Sequence, residues 1–165
     1  MKNKIFIFVI ISLVSNSLFS QSFAKNAVYY DFMGHTRSNY SLNYERYLFK
    51  IHKNFHLNIR TGIGHYKYYN YDNFVTANAV IFPTAVMLEY GKQNHFFNIG
   101  SGYSLSFINR KMESEIPKFD SANSLTIGYK YITETGWFFQ IYSGIIQPKI
   151  SSKESTMGLS IGGVW

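Results

Sequence analysis

The chain has 165 residues, of which 19% are aromatic and 15% are charged, whereas soluble domains carry roughly 25% charged residues. Cysteine is absent, which excludes a disulfide framework and cysteine-based metal sites. The formal net charge of +7 is spread along the chain, which excludes the basic stripe of a nucleic-acid-binding protein. We therefore expect one domain of unusual composition, attracted by its charge to outer-membrane lipid headgroups or lipopolysaccharide phosphates.

The N-terminal residues predict export. Lys2 and Lys4 precede an apolar run at 5–14, which is too short to span a bilayer, and small polar residues follow it. This pattern is typical of a signal peptide, which we expect to be cleaved after Ser20, with Ala24 as the alternative site. The sequence thus divides into a signal peptide at 1–20 and one mature domain at 21–165.

Apolar and polar residues then alternate with a period of two, as in strands whose two faces meet different surroundings. Eight such strands are predicted, at 27–33, 39–49, 55–68, 76–90, 95–108, 122–132, 137–146 and 156–165. Several of them reach the roughly nine to eleven residues with which a tilted strand crosses a bilayer. In the last strand Leu159 and Ile161 fall on the apolar face, which we expect to meet lipid.

The connections between these strands alternate in length. Short connections at 50–54, 91–94 and 133–136 alternate with longer ones at 69–75, 109–121 and 147–155, and the connection at 34–38 is shorter than this alternation predicts. Outer-membrane barrels have short periplasmic turns and longer outer loops. We therefore predict an all-β fold, an eight-stranded antiparallel up-and-down transmembrane β-barrel with both termini in the periplasm. A soluble lipocalin-like binder is the alternative at the level of the fold.

Four stretches carry a resemblance to known proteins: SLNYERYL at 41–48, GIG at 62–64, HFFNIGSG at 95–102 and IGYKY at 127–131. They resemble small outer-membrane β-barrel proteins of the Bacteroidota type. More distantly, residues 27–165 are similar to the eight-stranded outer-membrane protein A and X barrels. The resemblance implies a porin-like fold in the outer membrane of a Gram-negative cell, and it implies no activity. Trp165 fits the C-terminal assembly signal of such barrels, whereas Gly163 stands where a bulkier residue is usual.

Alternation also predicts which polar side chains point into the barrel. The inward set is Asp31, Asn43, Glu45, Asn58, Arg60, Glu89, Asn98, Lys130 and Gln140. The predicted polar network of the lumen consists of Asp31, Glu45, Arg60, Glu89 and Lys130. A turn at His52 and Lys53 would place Glu45 opposite Arg60. Because side chains fill the interior of an eight-stranded barrel, we favour an ionic plug over a polar channel or a catalytic group.

The fourth predicted strand presents a conflict of phase. Asn78 and Glu89 are both expected to face the lumen, although one position is even and the other is odd. An extra residue between them would resolve the conflict, and Pro83 suits a β-bulge because it has no N–H for the ladder. We therefore predict a bulge at Pro83.

Two segments are candidates for outward interactions. The tyrosine-rich stretch at 65–72 is typical of an aromatic girdle at the outer interface, with a ligand or glycan surface as the alternative. The loop at 109–121 holds charges of both signs, and it is the best candidate surface for an extracellular partner. It would serve equally as a solvated loop.

Catalysis finds little support in the sequence. None of the five histidines, His35, His52, His56, His65 and His95, has the spacing of a zinc motif. Lipid A deacylase barrels, the enzymes that the chain resembles most, use a His-x-Ser element. Here the residues two positions after the histidines are Arg37, Asn54, Asn58, Lys67 and Phe97. We therefore predict no catalytic, cofactor-binding or metal-binding residue and no cofactor.

The expected function is accordingly that of a monomeric outer-membrane protein with a structural or surface-interaction role. A lipid-modifying enzyme and a narrow pore are the alternatives.

Overall fold

The computed structural model describes residues 25–33, 38–70, 75–109, 118–149 and 152–165. The predicted signal peptide at 1–20, His35 and most of the predicted loop at 109–121 lie outside these residues. No helix that is long and apolar enough to cross a membrane occurs in the described part of the chain.

Eight strands form one closed sheet in which every neighbouring pair is antiparallel. They are β1 (Asn26–Phe32), β2 (Tyr40–His52), β3 (Phe55–Asn70), β4 (Val75–Lys92), β5 (His95–Asn109), β6 (Phe119–Ile132), β7 (Trp137–Pro148) and β8 (Glu154–Val164). Strands follow one another around the barrel in chain order, and β8 pairs with β1 to close it. The predicted eight-stranded antiparallel barrel is confirmed.

The two ends of the barrel differ. At one end, here called the terminal end, lie Lys25, Trp165 and the tight turns that follow β2, β4 and β6. The N–H groups of Lys25 and Asn26 both donate to the Trp165 carbonyl at 3.0 Å, so the first and last strands meet there. The opposite end, where β1, β3, β5 and β7 end, is here called the loop end.

The two faces of each strand have opposite polarity. In β8, Met157, Leu159 and Ile161 point outward with 65%, 55% and 39% of their surface exposed, while Ser160 points inward with 4% exposed. Apolar side chains are exposed in the same way on the outer face of every strand. The soluble lipocalin-like alternative requires polar residues outside, whereas this barrel exposes apolar side chains on its outer face and buries charged side chains in its interior.

The β2–β3 hairpin reaches its predicted register by an unexpected route. Its turn is formed by Lys53 and Asn54, one residue later than predicted. Two register shifts, between Tyr47 and Phe49 and between Lys50 and His52, then move the pairing by one residue each. As a result Glu45 pairs with Arg60, which confirms the predicted pairing.

Strand β4 is regular, and the predicted bulge at Pro83 is wrong. From Asn78 to Lys92 the strand pairs with β5 without a register shift. Asn78 therefore points outward and is exposed, whereas Glu89 is buried inside. Pro83 interrupts the ladder to β3, where pairing resumes in the same register on its far side. The missing N–H of Pro83 thus removes a hydrogen bond from the ladder to β3, and no extra residue is inserted into β4.

Candidate functional site in the barrel interior

The interior has a polar middle between two apolar layers. Toward the terminal end, Ala27, Tyr29 and Phe138 form a buried apolar cluster. Toward the loop end, Ala77, Ala79 and Ile108 form another, with Tyr66 packed against it. The nine polar residues predicted to point inward are all buried, with between 2% and 5% of their surface exposed.

A charged group, here called the central cluster, consists of Glu45, Asn58, Glu89 and Lys130. The ammonium of Lys130 lies 2.6 Å from Oε1 of Glu45 and 2.5 Å from Oε1 of Glu89. The side-chain amide of Asn58 donates to Glu45 Oε1 at 2.9 Å and to Glu89 Oε2 at 2.8 Å. One cation and one amide therefore hold two buried carboxylates together, as buried charges require.

Arg60 takes a different role from the one expected. Although its backbone pairs with that of Glu45, its guanidinium Nη1 donates to the hydroxyl of Tyr29 at 3.2 Å. Tyr29 in turn donates to Glu45 Oε2 at 3.5 Å. The cation that contacts Glu45 directly is Lys130 of β6, and Arg60 reaches Glu45 through Tyr29.

Asp31 belongs to a second group, here called the Asp31 cluster. Its Oδ1 accepts hydrogen bonds from the hydroxyl of Tyr142 at 2.5 Å and from Oγ of Ser160 at 3.0 Å. Both donors lie on strands near the closing seam, since Asp31 pairs with Ser160 across β1 and β8. Of the five predicted network residues, Glu45, Glu89 and Lys130 therefore belong to the central cluster. Arg60 is joined to that cluster through Tyr29, and Asp31 belongs to the Asp31 cluster.

The glycines of the strands make room for these large inward side chains. A Cβ at Gly158 would overlap the phenol of Tyr142, and a Cβ at Gly162 would overlap Tyr29. Beside the central cluster remains a cavity of about 30 Å³, lined in part by Glu45, Asn58 and Lys130. A space of this size holds one or two water molecules.

Sequence reasoning missed Tyr29, Tyr142 and Ser160 as members of these clusters. The predicted inward polar set contains no tyrosine or serine, although the phase of the strands contained the correct signal. Tyr29 has the same parity as Asp31 in β1, and Tyr142 has the same parity as the inward Gln140 in β7.

The four histidines in the described ranges do not converge on one site. His52 is exposed at a turn, His56 is buried inside, His65 stacks on Tyr40, and His95 is hydrogen-bonded on the outer surface to the hydroxyl of Tyr129. Within the described ranges, no group of three or more histidine or acidic side chains is placed to hold a metal ion.

The two predicted outward surfaces are described only in part. Tyr66 in the tyrosine-rich stretch points inward and packs against the apolar cluster at the loop end, so it does not belong to an outer girdle. Of the predicted loop at 109–121, Asn109 belongs to β5 and Phe119, Asp120 and Ser121 belong to β6. Residues 110–117 lie outside the described ranges.

Comparison with known proteins supports the fold. No protein-family model matches the chain, and no curated protein sequence matches it. A solved structure that is similar is the N-terminal β-barrel domain of OprF from Pseudomonas aeruginosa. The similarity has a TM-score of 0.55 with 13% sequence identity, and it covers 86% of this chain and 96% of the other. At this identity it shows that both chains share the closed β-barrel fold.

Proposed function

We propose that the chain is an outer-membrane protein, exported by its N-terminal segment, with a structural or surface-interaction role. The observation that carries this proposal is the reversed polarity of the barrel, which exposes apolar side chains on all strands and buries charged ones. A closed barrel satisfies its backbone hydrogen bonds internally, as the hydrocarbon core of a bilayer demands. The similarity to the OprF barrel domain supports the same location.

The interior favours a plugged barrel over a pore or an enzyme. The carboxylates of Glu45 and Glu89 are occupied by Lys130 and Asn58, and the rings of Tyr29 and Phe138 pack edge to face with centroids 5.0 Å apart. Selective pores instead carry rings of one charge around water. We propose that the protein is a monomer without catalytic activity. Lipopolysaccharide as a lipid partner, an extracellular partner at 109–121 and a Bacteroidota-type source stay predictions from the sequence.

Heat-modifiable migration of the outer-membrane fraction tests the proposal. The unboiled protein is expected in that fraction, migrating on a gel at a different position from the boiled protein, because a closed barrel resists detergent until it is heated. Recovery with the soluble periplasmic proteins would contradict the membrane location. Heat-modifiable migration without membrane association would leave a barrel but refute the proposed place of action.

Conductance tests the plug separately. The purified wild-type protein in planar bilayers is expected to pass no steady ionic current, because side chains fill the interior. Phe138→Ala is the control for detection, since it removes a fully buried ring and widens the interior at the terminal end. Steady channels from the wild-type protein would favour the narrow pore.

A further inference from the structure

The outer rim at the terminal end is basic. Three exposed side chains, here called the basic arc, are Arg46, Lys53 and Lys92. Lys25 and Lys50 are exposed at the same end but lie on the lumen side, because Lys25 lines the cavity beside the central cluster and Lys50 pairs with the buried His56. His52 and His95 are exposed beside the basic arc. Among the described residues at this end, Glu134 is the one exposed acidic side chain, and it lies in the turn after β6. Three positive side chains in the arc against one negative side chain leave a formal excess of +2.

These basic residues belong to neighbouring strands. Arg46 lies on β2, Lys53 lies in the turn between β2 and β3, and Lys92 ends β4. The N–H of Gly91 donates to the Asn54 carbonyl at 3.0 Å, which joins the β2–β3 turn to the β4–β5 hairpin. The basic arc therefore runs from β2 to the end of β4. Glu134 lies on the other side of the barrel.

An aromatic belt accompanies the arc on the outer wall. Its exposed residues are Tyr44, Phe49, Phe55, Tyr90 and Phe97. The rings of Phe55 and Tyr90 lie 4.8 Å apart across β3 and β4. Aliphatic side chains, among them Ile59 and Val86, are exposed farther from the terminal end on the same strands. Aromatic rings between a basic rim and an aliphatic band mark the depth of lipid headgroups.

We propose that the basic arc binds the phosphate groups of anionic phospholipids in the leaflet at the terminal end. The proposal rests on the membrane location proposed above and adds a selected lipid class and a side of the barrel. Long lysine and arginine side chains extend along the wall and place their charges at headgroup level. The phospholipid supplies the negative charge that the terminal end lacks, and its chains lie against the belt and the aliphatic band.

Electron spin resonance of labelled lipids tests the proposal on the full barrel. Wild-type protein is inserted into phosphatidylcholine vesicles that contain trace spin-labelled phosphatidylglycerol or spin-labelled phosphatidylcholine. We expect the immobilised fraction to favour phosphatidylglycerol. Replacement of Arg46, Lys53 and Lys92 by Gln should reduce this preference about fivefold or more, the factor expected from each basic side chain that contacts an anionic headgroup. High salt should reduce it as well.

The matched control replaces Lys67, Lys149 and Lys153 by Gln. These exposed lysines lie toward the loop end, so the preference should change by less than about twofold. A barrel that inserts with heat-modifiable migration but shows equal affinity for both lipids would overturn the lipid site and leave the membrane location intact. Loss of the preference in the loop-end variant alone would overturn it too. Failure of the wild-type protein to insert would overturn both proposals.

Discussion

Lys130 connects two buried carboxylates that lie on different strands. Its ammonium contacts Glu45 of β2 and Glu89 of β4, and it lies 5.4 Å from the centre of the Phe138 ring. Sequence reasoning placed all three charged residues inside but chose Arg60 as the partner of Glu45. Register predicts which backbones are neighbours, whereas a long side chain in a narrow interior reaches the opposite wall. The register of a hairpin therefore does not reveal which side chains meet across the lumen.

Replacement of Lys130 by Met is expected to destabilise the barrel by about 3–5 kcal/mol, because it leaves Glu45 and Glu89 buried without their cation. Adding Glu45→Gln and Glu89→Gln should restore part of this loss. Urea unfolding in lipid vesicles, followed by tryptophan fluorescence, measures the change. Lys67→Met is the exposed control and should stay within about 0.5 kcal/mol of the wild type. A triple variant less stable than Lys130→Met would contradict the role of the ion pairs.

Two glycines of β8 offer a matched test of interior crowding. A Cβ at Gly158 would overlap the Tyr142 ring, so Gly158→Ala must displace that ring and break its hydrogen bond to Asp31. We expect a loss of about 1–3 kcal/mol. At Gly163 the nearest atom, the Gly136 carbonyl oxygen, is 3.9 Å from the added Cβ. Gly163→Ala should therefore be nearly neutral in the same unfolding measurement, and equal losses would contradict this explanation.

At the scale of the strands, the sequence predicted every element to within a few residues because period two and turn residues are local signals. The errors in predicting which face a residue occupies arise near the ends of the strands, beyond the band of exposed apolar residues. Asn78 is polar and yet points outward near the loop end, while Ala77 and Ala79 fill the interior there. Polarity no longer distinguishes the two faces at that height. The two register shifts of β2 leave no signal in the sequence either, because together they compensate for a turn that lies one residue later than predicted.

The turn between β6 and β7 depends on Gly136. Its φ of 84° is in the left-handed region, and a Cβ there would lie 3.0 Å from the Val164 carbonyl oxygen. Gly136→Ala is expected to destabilise the barrel by about 1–2 kcal/mol. Glu134→Ala in the same turn is the exposed control and should change stability little. Thermal unfolding of the two variants compares them, and similar midpoints would show that the turn tolerates a Cβ.

At the scale of the whole molecule, the proposed membrane location predicts that stability depends on a lipid environment around the apolar wall. Leu159→Arg or Ile161→Arg would place a charge among acyl chains, with an expected loss of about 2–4 kcal/mol near the bilayer midplane. Ser155→Arg lies on the same outer face toward the loop end, and its loss should not exceed about 1 kcal/mol. Unfolding in vesicles measures these losses.

Spin labels at 159 and 161 provide an independent check of the same surface. Lipid-soluble oxygen should quench them, and an aqueous reagent should not. Ser160→Arg would destabilise the barrel by a different route, since Ser160 points into the lumen. Greater accessibility of positions 159 and 161 to the aqueous reagent would contradict the lipid-facing assignment.

The seam between β1 and β8 has a consequence for the order of folding. Strand β1 has 7 residues, and its pairing with β8 runs from Ala27 and Val164 to Phe32 and Leu159. All other neighbours are consecutive strands, whereas this seam joins the two ends of the barrel sequence and carries the largest loop-closure entropy. Until it forms, two unpaired strand edges face the lipid. We therefore expect this short seam to seal last during assembly of the barrel.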